Sequence, residues 1–367
     1  MLISDNLSVY FNLLKTILGA ALIKYPYLFG VVGIVPVTLI SFVSIAFAFF
    51  GLILYTKLNE VNNYEINLSS LSKNSVFVNL IVGVKSFFVY ILYLRILNDL
   101  FMYFFPSRNN ILLISVMMFF ILPFMFQKSV QKLKFVSLLG ILSIIVMILS
   151  TVLRYIKSSK QSLPEYYSGK SNILKNIGLF VFGYTCHQNI FTVQSSLNDR
   201  RYFNLILILT LLSAMSVYFT FGILNYKLFG NLTKENILNV LPDDKLGQLV
   251  RIFYGISLLF TVSLQVVPCK YHLAKVVNIN QNILATGIFI ISFLMLVFKI
   301  KIDLLINLVG GIFSSFINFI FPGWFYLISK SKNYVYSVIS VITFIFGLFN
   351  VIYTTIFYIK GLSHQNR

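Results

Sequence analysis

The segment Phe182-Gly183-Tyr184-Thr185-Cys186-His187-Gln188-Asn189 gathers hydroxyls, a thiol, an imidazole and two carboxamides in consecutive positions. It lies in a stretch without charge from Asn176 to Asn198. That stretch is long enough to cross a bilayer, which takes about 20 helical residues. Inside lipid every polar group must be satisfied by protein or by trapped water. Such a cluster is expected where a spanning helix is broken around a small-molecule site. A second interruption is read near the start, in Asn12-Leu13-Leu14-Lys15-Thr16-Ile17-Leu18-Gly19-Ala20-Ala21. A break near Gly19 frees N–H groups on the outer half-helix and C=O groups on the inner half. The N–H groups of Ala20, Ala21 and Leu22, at the positive end of the outer half, would accept a carboxylate. Two broken helices in corresponding halves of an apolar chain point to a transport site. The plain alternative for Gly19-Ala20-Ala21 is a small-residue face for helix packing.

The elements that must hold these residues are membrane helices. The chain is 58% hydrophobic and 11% charged, with a mean hydropathy of +0.87. Soluble domains average roughly 25% charged residues. Long unbroken apolar runs exclude a β-barrel, whose strands alternate over roughly 10 residues. The expectation is an all-α polytopic membrane protein with about 11 transmembrane helices. Spans are read at about 8–29, 33–56, 76–105, 110–126, 135–153, 174–197, 203–225, 248–269, 280–298, 304–329 and 334–359. One transporter domain over 1–367 is expected, with no soluble domain at either end and no cleavable signal peptide.

The net charge of +19 is spread over segment ends rather than gathered in one tract. It is read as interfacial charge facing anionic lipid headgroups, not as a nucleic-acid surface. The basic loop Lys128, Lys132 and Lys134, with Arg200-Arg201 and Lys270/Lys275, favours a cytoplasmic N-terminus. Cys186 and Cys269 form no disulfide framework and no zinc spacing. No metal site and no cofactor are expected.

Three blocks resemble the amino acid/auxin permease family. Phe11-Asn12-Leu13-Leu14-Lys15-Thr16-Ile17-Leu18-Gly19-Ala20-Ala21 with Tyr25-Pro26-Tyr27 is similar to its first helix. Tyr184-Thr185-Cys186-His187-Gln188-Asn189 with Leu197-Asn198-Asp199 is similar to its sixth-helix signature. Ser263-Leu264-Gln265-Val266-Val267-Pro268-Cys269-Lys270 is similar to the end of its eighth. The resemblance implies a LeuT-like five-plus-five inverted repeat with helices 1 and 6 broken. Repeat one would cover about 8–155, repeat two about 172–329, and an extra helix about 334–359. It also implies secondary transport of an amino acid, a neutral one being favoured. The substrate would sit at Gly19, Ala20, Ala21, Leu22, Tyr184, Thr185 and Cys186. Ala21 replaces a glycine of the family's break, Lys24 a small apolar residue, Ser263 a proline and Lys270 an arginine.

Lys15, Thr261 and His187 are the ion-coupling candidates. Lys15 occupies the position of a polar sodium-site residue in sodium-coupled relatives, and Thr261 aligns with the hydroxyl that completes that site. An ammonium there would repel sodium, fill the ion site itself or cycle a proton; alternatively Lys15 snorkels to the headgroups. Proton coupling or exchange is therefore expected over sodium coupling. His187 is read as a pH-sensing imidazole or as a hydrogen-bonded brace of the broken helix. Cys186 also reads as a small buried packing residue. Arg95 and Asp99, one turn apart, are expected to pair. Lys85 is an unusual charge inside a span and receives no role.

No nucleotide-binding loop is present to drive a pump, and no catalytic motif of an intramembrane enzyme is found. A sensor that keeps the fold is the alternative, disfavoured by short cytosolic segments. A plasma or vacuole-like membrane, and a monomer, complete the expectation.

Overall fold

The computed structural model describes all residues except 1, 73–74, 107–108, 127–133, 160–161, 163–164, 169–172, 330–332 and 366–367. Lys128 and Lys132 of the expected basic loop lie outside the described residues. Among the described residues every regular element is helical.

The helices follow the apolar stretches in order. The first pair is α1 (Leu2–Ile17) and α2 (Tyr25–Val31), joined through a tight turn at Leu22–Lys24. Next come α3 (Ile34–Val61), α4 (Ser75–Phe104), α5 (Asn110–Met125) and α6 (Lys134–Lys157). A second broken pair follows, α7 (Ile177–Gly183) and α8 (Ile190–Ser195). Then come α9 (Phe203–Phe229), α10 (Lys245–Val277) and α11 (Gln281–Val297). Finally α12 (Ile302–Leu308) and α13 (Phe321–Ile328) flank a widened stretch, and α14 (Tyr334–Gln365) closes the chain.

Seven helical runs among the described residues are long and apolar enough to cross a membrane, and the α1–α2 pair, bent by 50°, makes an eighth. The protein is thus a helical, multi-pass integral membrane protein. The sequence expectation of 11 crossings needs three more. Two would be α5 and α11, of 16 and 17 residues. At 1.5 Å per residue these span only about 24–26 Å, short of a ~30 Å hydrocarbon core. The third would be the α7–α8 pair.

Two boundaries differ from the expectation. Helix α1 starts at Leu2, earlier than residue 8, with Asp5 in its first turn, where a carboxylate meets the positive end of the helix. Helix α10 runs past 269 to Val277, although Pro268 lies inside it. Its added turns carry Lys270, whose ammonium reaches the Met125 carbonyl, and it ends at Asn278 in a left-handed conformation (φ 53°).

Between α12 and α13 the backbone is π-helical over Val309–Ser314 and Phe316–Ile320. Wide turns of this kind release main-chain groups, and here the Ile317 carbonyl accepts the Tyr55 hydroxyl at 2.8 Å. Gly310 sits where a Cβ would lie 1.7 Å from the Gly178 carbonyl, so α7 rests on this stretch backbone to backbone. Helix α10 packs along α4 and α6, and α9 covers α1 and α2. This frame fixes both interrupted helices toward the middle of the molecule.

Candidate functional site

At the first break, α1 ends because Leu18 makes the last helical bond, to Leu14 O (2.9 Å). Leu22 N–H turns back to Gly19 O (3.1 Å) and Lys24 N–H to Ala21 O (3.1 Å). The N–H groups of Gly19, Ala20 and Ala21 have no hydrogen-bond partner among the described residues. Leu22, expected to offer a free N–H, has it engaged, because the chain re-enters a tight helical turn one residue earlier than the sequence indicated. A buried N–H without a partner carries a cost of about 1–3 kcal/mol. Three in a row make a short anion-seeking stretch.

At the second break, the polar side chains are largely consumed by packing. Thr185 Oγ1 donates to Val181 O (2.8 Å) and accepts from Asn318 Nδ2 (2.7 Å). His187 is fully buried, and its Nε2 lies 2.9 Å from Ala48 O on α3. That contact requires Nε2–H to donate, which leaves Nδ1 as a buried lone pair without a partner among the described residues. Cys186 is a buried free thiol. Asp199, in the loop after α8, is bound by Arg201 at 2.7 Å, a hydrogen-bonded pairing that holds its carboxyl below the usual range.

A cavity of about 800 Å³ lies against both breaks. It reaches from Gly19 and Thr185 to Asn67–Ser69 in the loop before α4 and to Gln281 at the start of α11. Lys15, Thr261, Gly19 and Thr185 line it; Ala20, Ala21, Leu22, Tyr184, Cys186 and His187 do not. The side chain of Lys15 crosses Gly140 of α6, where an added Cβ would overlap its Cε. Lys15 has no acceptor among the described residues. Thr261 Oγ1 is occupied by Ser257 O at 2.6 Å, one turn back. Asn189 Nδ2 bonds Thr16 Oγ1 (3.0 Å) and so joins the two breaks on the cavity side.

Away from the cavity the breaks are sealed by aromatics. Tyr25 and Tyr218 stack with centroids 4.4 Å apart, and Tyr25 Oη lies 3.4 Å from Tyr184 Oη. Tyr218 Oη is 2.8 Å from both Ile17 O and Gly183 O, the last helical carbonyls before each break. One phenol therefore touches both interrupted helices. Nothing in the sequence distinguishes Tyr218 from an aromatic on an apolar face of α9.

Two charged sites flank the region. Lys24 is fully buried and paired with Asp303 at the start of α12, and Asn307 Nδ2 braces that carboxylate (2.9 Å). Arg95 and Asp99 pair as the sequence indicates. Lys85, given no role by the sequence, also lines the cavity, its Nζ 2.5 Å from Gln188 Oε1. The signal for it was present: an unpaired charge in an apolar span marks function by default.

Against known proteins, residues 4–360 match the family described as transmembrane amino acid transporter protein. The chain belongs to this family. It is 24% identical to vacuolar amino acid transporter 6 of Saccharomyces cerevisiae, over 73% of the chain and 65% of that protein. The match thus spans just under two thirds of the yeast protein's length. Identity is also 24% to vacuolar amino acid transporter 5 of Schizosaccharomyces pombe, over 88% of the chain and 84% of that protein. It is 21% to a putative sodium-coupled neutral amino acid transporter 8 of Xenopus tropicalis, over 87% and 83%.

Proposed function

We propose that the protein is a secondary active transporter of amino acids working by alternating access. The carrying observation is the run of unpartnered N–H groups at Gly19, Ala20 and Ala21 beside a cavity of about 800 Å³. Small-molecule sites typically measure about 300–1,000 Å³. The substrate α-carboxylate is held at the Gly19 end of this run, where it meets the cavity, and its ammonium turns to the second break, where Thr185 faces the cavity. The eleven helical stretches are eleven crossings, arranged as an inverted repeat with α1–α2 and α7–α8 in corresponding positions. With the N-terminus in the cytoplasm, the cavity opens inward and the Tyr25–Tyr218 stack closes the outer side. A vacuole-like membrane suits two of the relatives named above.

Coupling follows from Lys15. At about 4 Å, two unit charges repel by roughly 4 kcal/mol at an effective dielectric of 20. That is nearly a thousandfold in binding at 1.4 kcal/mol per decade. A charged Lys15 thus keeps sodium from a site shared with Thr261, and transport is proton-coupled or exchange. On the substrate side chain, the resemblance favours a neutral amino acid; the charge of the cavity, taken up below, favours an additional carboxylate.

Purified protein in proteoliposomes, with radiolabelled amino acids and imposed pH or sodium gradients, tests this reading. Uptake that follows the pH gradient, or counterflow, and ignores sodium is expected. Absence of any amino-acid uptake overturns the function, and uptake driven steeply by sodium at constant pH overturns the coupling.

A further inference from the structure

Three lysines near the breaks, Lys24 and Lys85 buried and Lys15 half-buried, fall into two kinds. Lys24 has its carboxylate, Asp303. Lys85, 3% exposed on α4, has among the described residues only the neutral Gln188 Oε1, which satisfies one of its three N–H donors. Lys15 has no acceptor among the described residues. Both Lys15 and Lys85 line the same cavity. All ten acidic residues of the chain are described, and none lines it. Five of them are committed to ion pairs elsewhere: Glu60, Asp99, Asp199, Asp244 and Asp303.

A buried charge without a counter-charge is costly, because desolvation is not repaid by pairing. No acidic side chain lines the cavity beside these two ammonium groups. A zwitterionic substrate does not supply a net one either: its carboxylate goes to the main chain at Gly19, and its own ammonium adds a further cation. A substrate with a second carboxylate does supply it. Gln188 follows the second break directly and holds Lys85 against the cavity wall. A side-chain carboxylate entering there finds two unused N–H donors on Lys85, and charge-assisted bonds are the stronger kind.

We propose that Lys85, presented by Gln188, is a subsite for the side-chain carboxylate of the substrate, so that the protein carries acidic amino acids in preference to their amides and rejects cationic ones. This rests on the amino-acid transport proposed above and names its substrate class.

The experiment compares glutamate with glutamine, aspartate with asparagine, and lysine, as labelled substrates of the full chain in proteoliposomes. Chloride is either present or replaced by gluconate. The expected result is uptake of each acid about tenfold or more above its amide, the worth of one charge-assisted hydrogen bond. Lysine uptake should stay at background. In Lys85→Gln the acid-to-amide ratio should fall about tenfold, while Lys85→Arg keeps it. The wild-type ratio alone decides the matter if Lys85→Gln does not reach the membrane. Glutamine carried faster than glutamate overturns the inference and leaves the transporter reading standing. Amide uptake that needs chloride also overturns it, because an inorganic anion would then fill the Lys85 site. No uptake of any amino acid fails the transporter reading instead.

Discussion

The two interrupted helices of this protein are broken by different means. At the first, between α1 and α2, the residues are small and the main chain itself is left open: three successive N–H groups lack partners among the described residues. At the second, between α7 and α8, the residues are polar, and their side chains close most of the gap. Thr185 is tied to Asn318 and Val181, and His187 to Ala48. The first break thus leaves main chain open, which the proposed function uses as its binding surface, and the second is a braced joint with a few side chains left over for the cavity.

The largest effect that tests this contrast is at Gly19. A Cβ there would stand 3.2 Å from the Tyr93 hydroxyl, and a longer side chain must turn into the cavity. Gly19→Leu should abolish uptake while the protein remains in the membrane, as judged by labelled-substrate uptake beside a membrane-fraction blot. Normal uptake by a well-expressed variant would move the carboxylate site off the first break.

Lys15 comes next. It lines the cavity one turn before the first break, and in the proposed mechanism its ammonium sets which cation the cavity tolerates. Lys15→Asn should flatten the dependence of uptake on an imposed pH gradient and let sodium stimulate it; the full effect is bounded by the roughly thousandfold penalty of a neighbouring charge. An unchanged pH response in Lys15→Asn would return Lys15 to the role of a snorkelling interfacial lysine.

His187 sharpens the other side of the comparison. It does not line the cavity, and its one hydrogen bond among the described residues goes to Ala48 O. His187→Ala removes that hydrogen bond and opens space beside Tyr55 and Phe319. A loss of about 2–4 kcal/mol of stability is expected, from the lost hydrogen bond and the lost packing together. Thermal unfolding in detergent measures it. The shape of the pH–uptake curve should stay as in wild type. A pH curve displaced in His187→Ala would make the second break a titrating site rather than a joint.

How far the sequence carries this picture depends on the distance between interacting residues. The apolar stretches, both breaks and the Arg95–Asp99 pair are local patterns, set within one or a few turns, and they were legible. So was Lys15, a charge one turn before a run of small residues. Lys85 could be seen but not understood, because its meaning lies in Gln188, 103 positions away. Lys24 looked like a mere departure until Asp303 appeared beside it, and Thr185 looked free until Asn318 did. The engaged Leu22 N–H was missed for a different reason: which residue re-enters the helix is decided by the turn's own hydrogen bonds, not by residue type.

Tyr218 was the least legible of all, and it carries the smallest of these effects. Its hydroxyl lies 2.8 Å from Ile17 O and from Gly183 O, yet it owns a single proton and can give a full hydrogen bond to one of them at a time. Removing the hydroxyl therefore costs about one net hydrogen bond, about 1 kcal/mol, rather than two. The stacked ring against Tyr25 survives in Tyr218→Phe. If, as the proposed alternating access implies, the lost bond joins the two broken helices only with the outer side closed, the cost falls on that state alone. A bias of about 1 kcal/mol shifts the balance of two states roughly fivefold. Tyr218→Phe should thus change apparent affinity severalfold, in opposite directions for substrate offered from the two sides, with little change in the acid-to-amide ratio. Uptake measured in right-side-out and inside-out vesicles reads both. Equal changes from the two sides would mean that Tyr218 packs the helices without weighting one state, and the two breaks would then move independently.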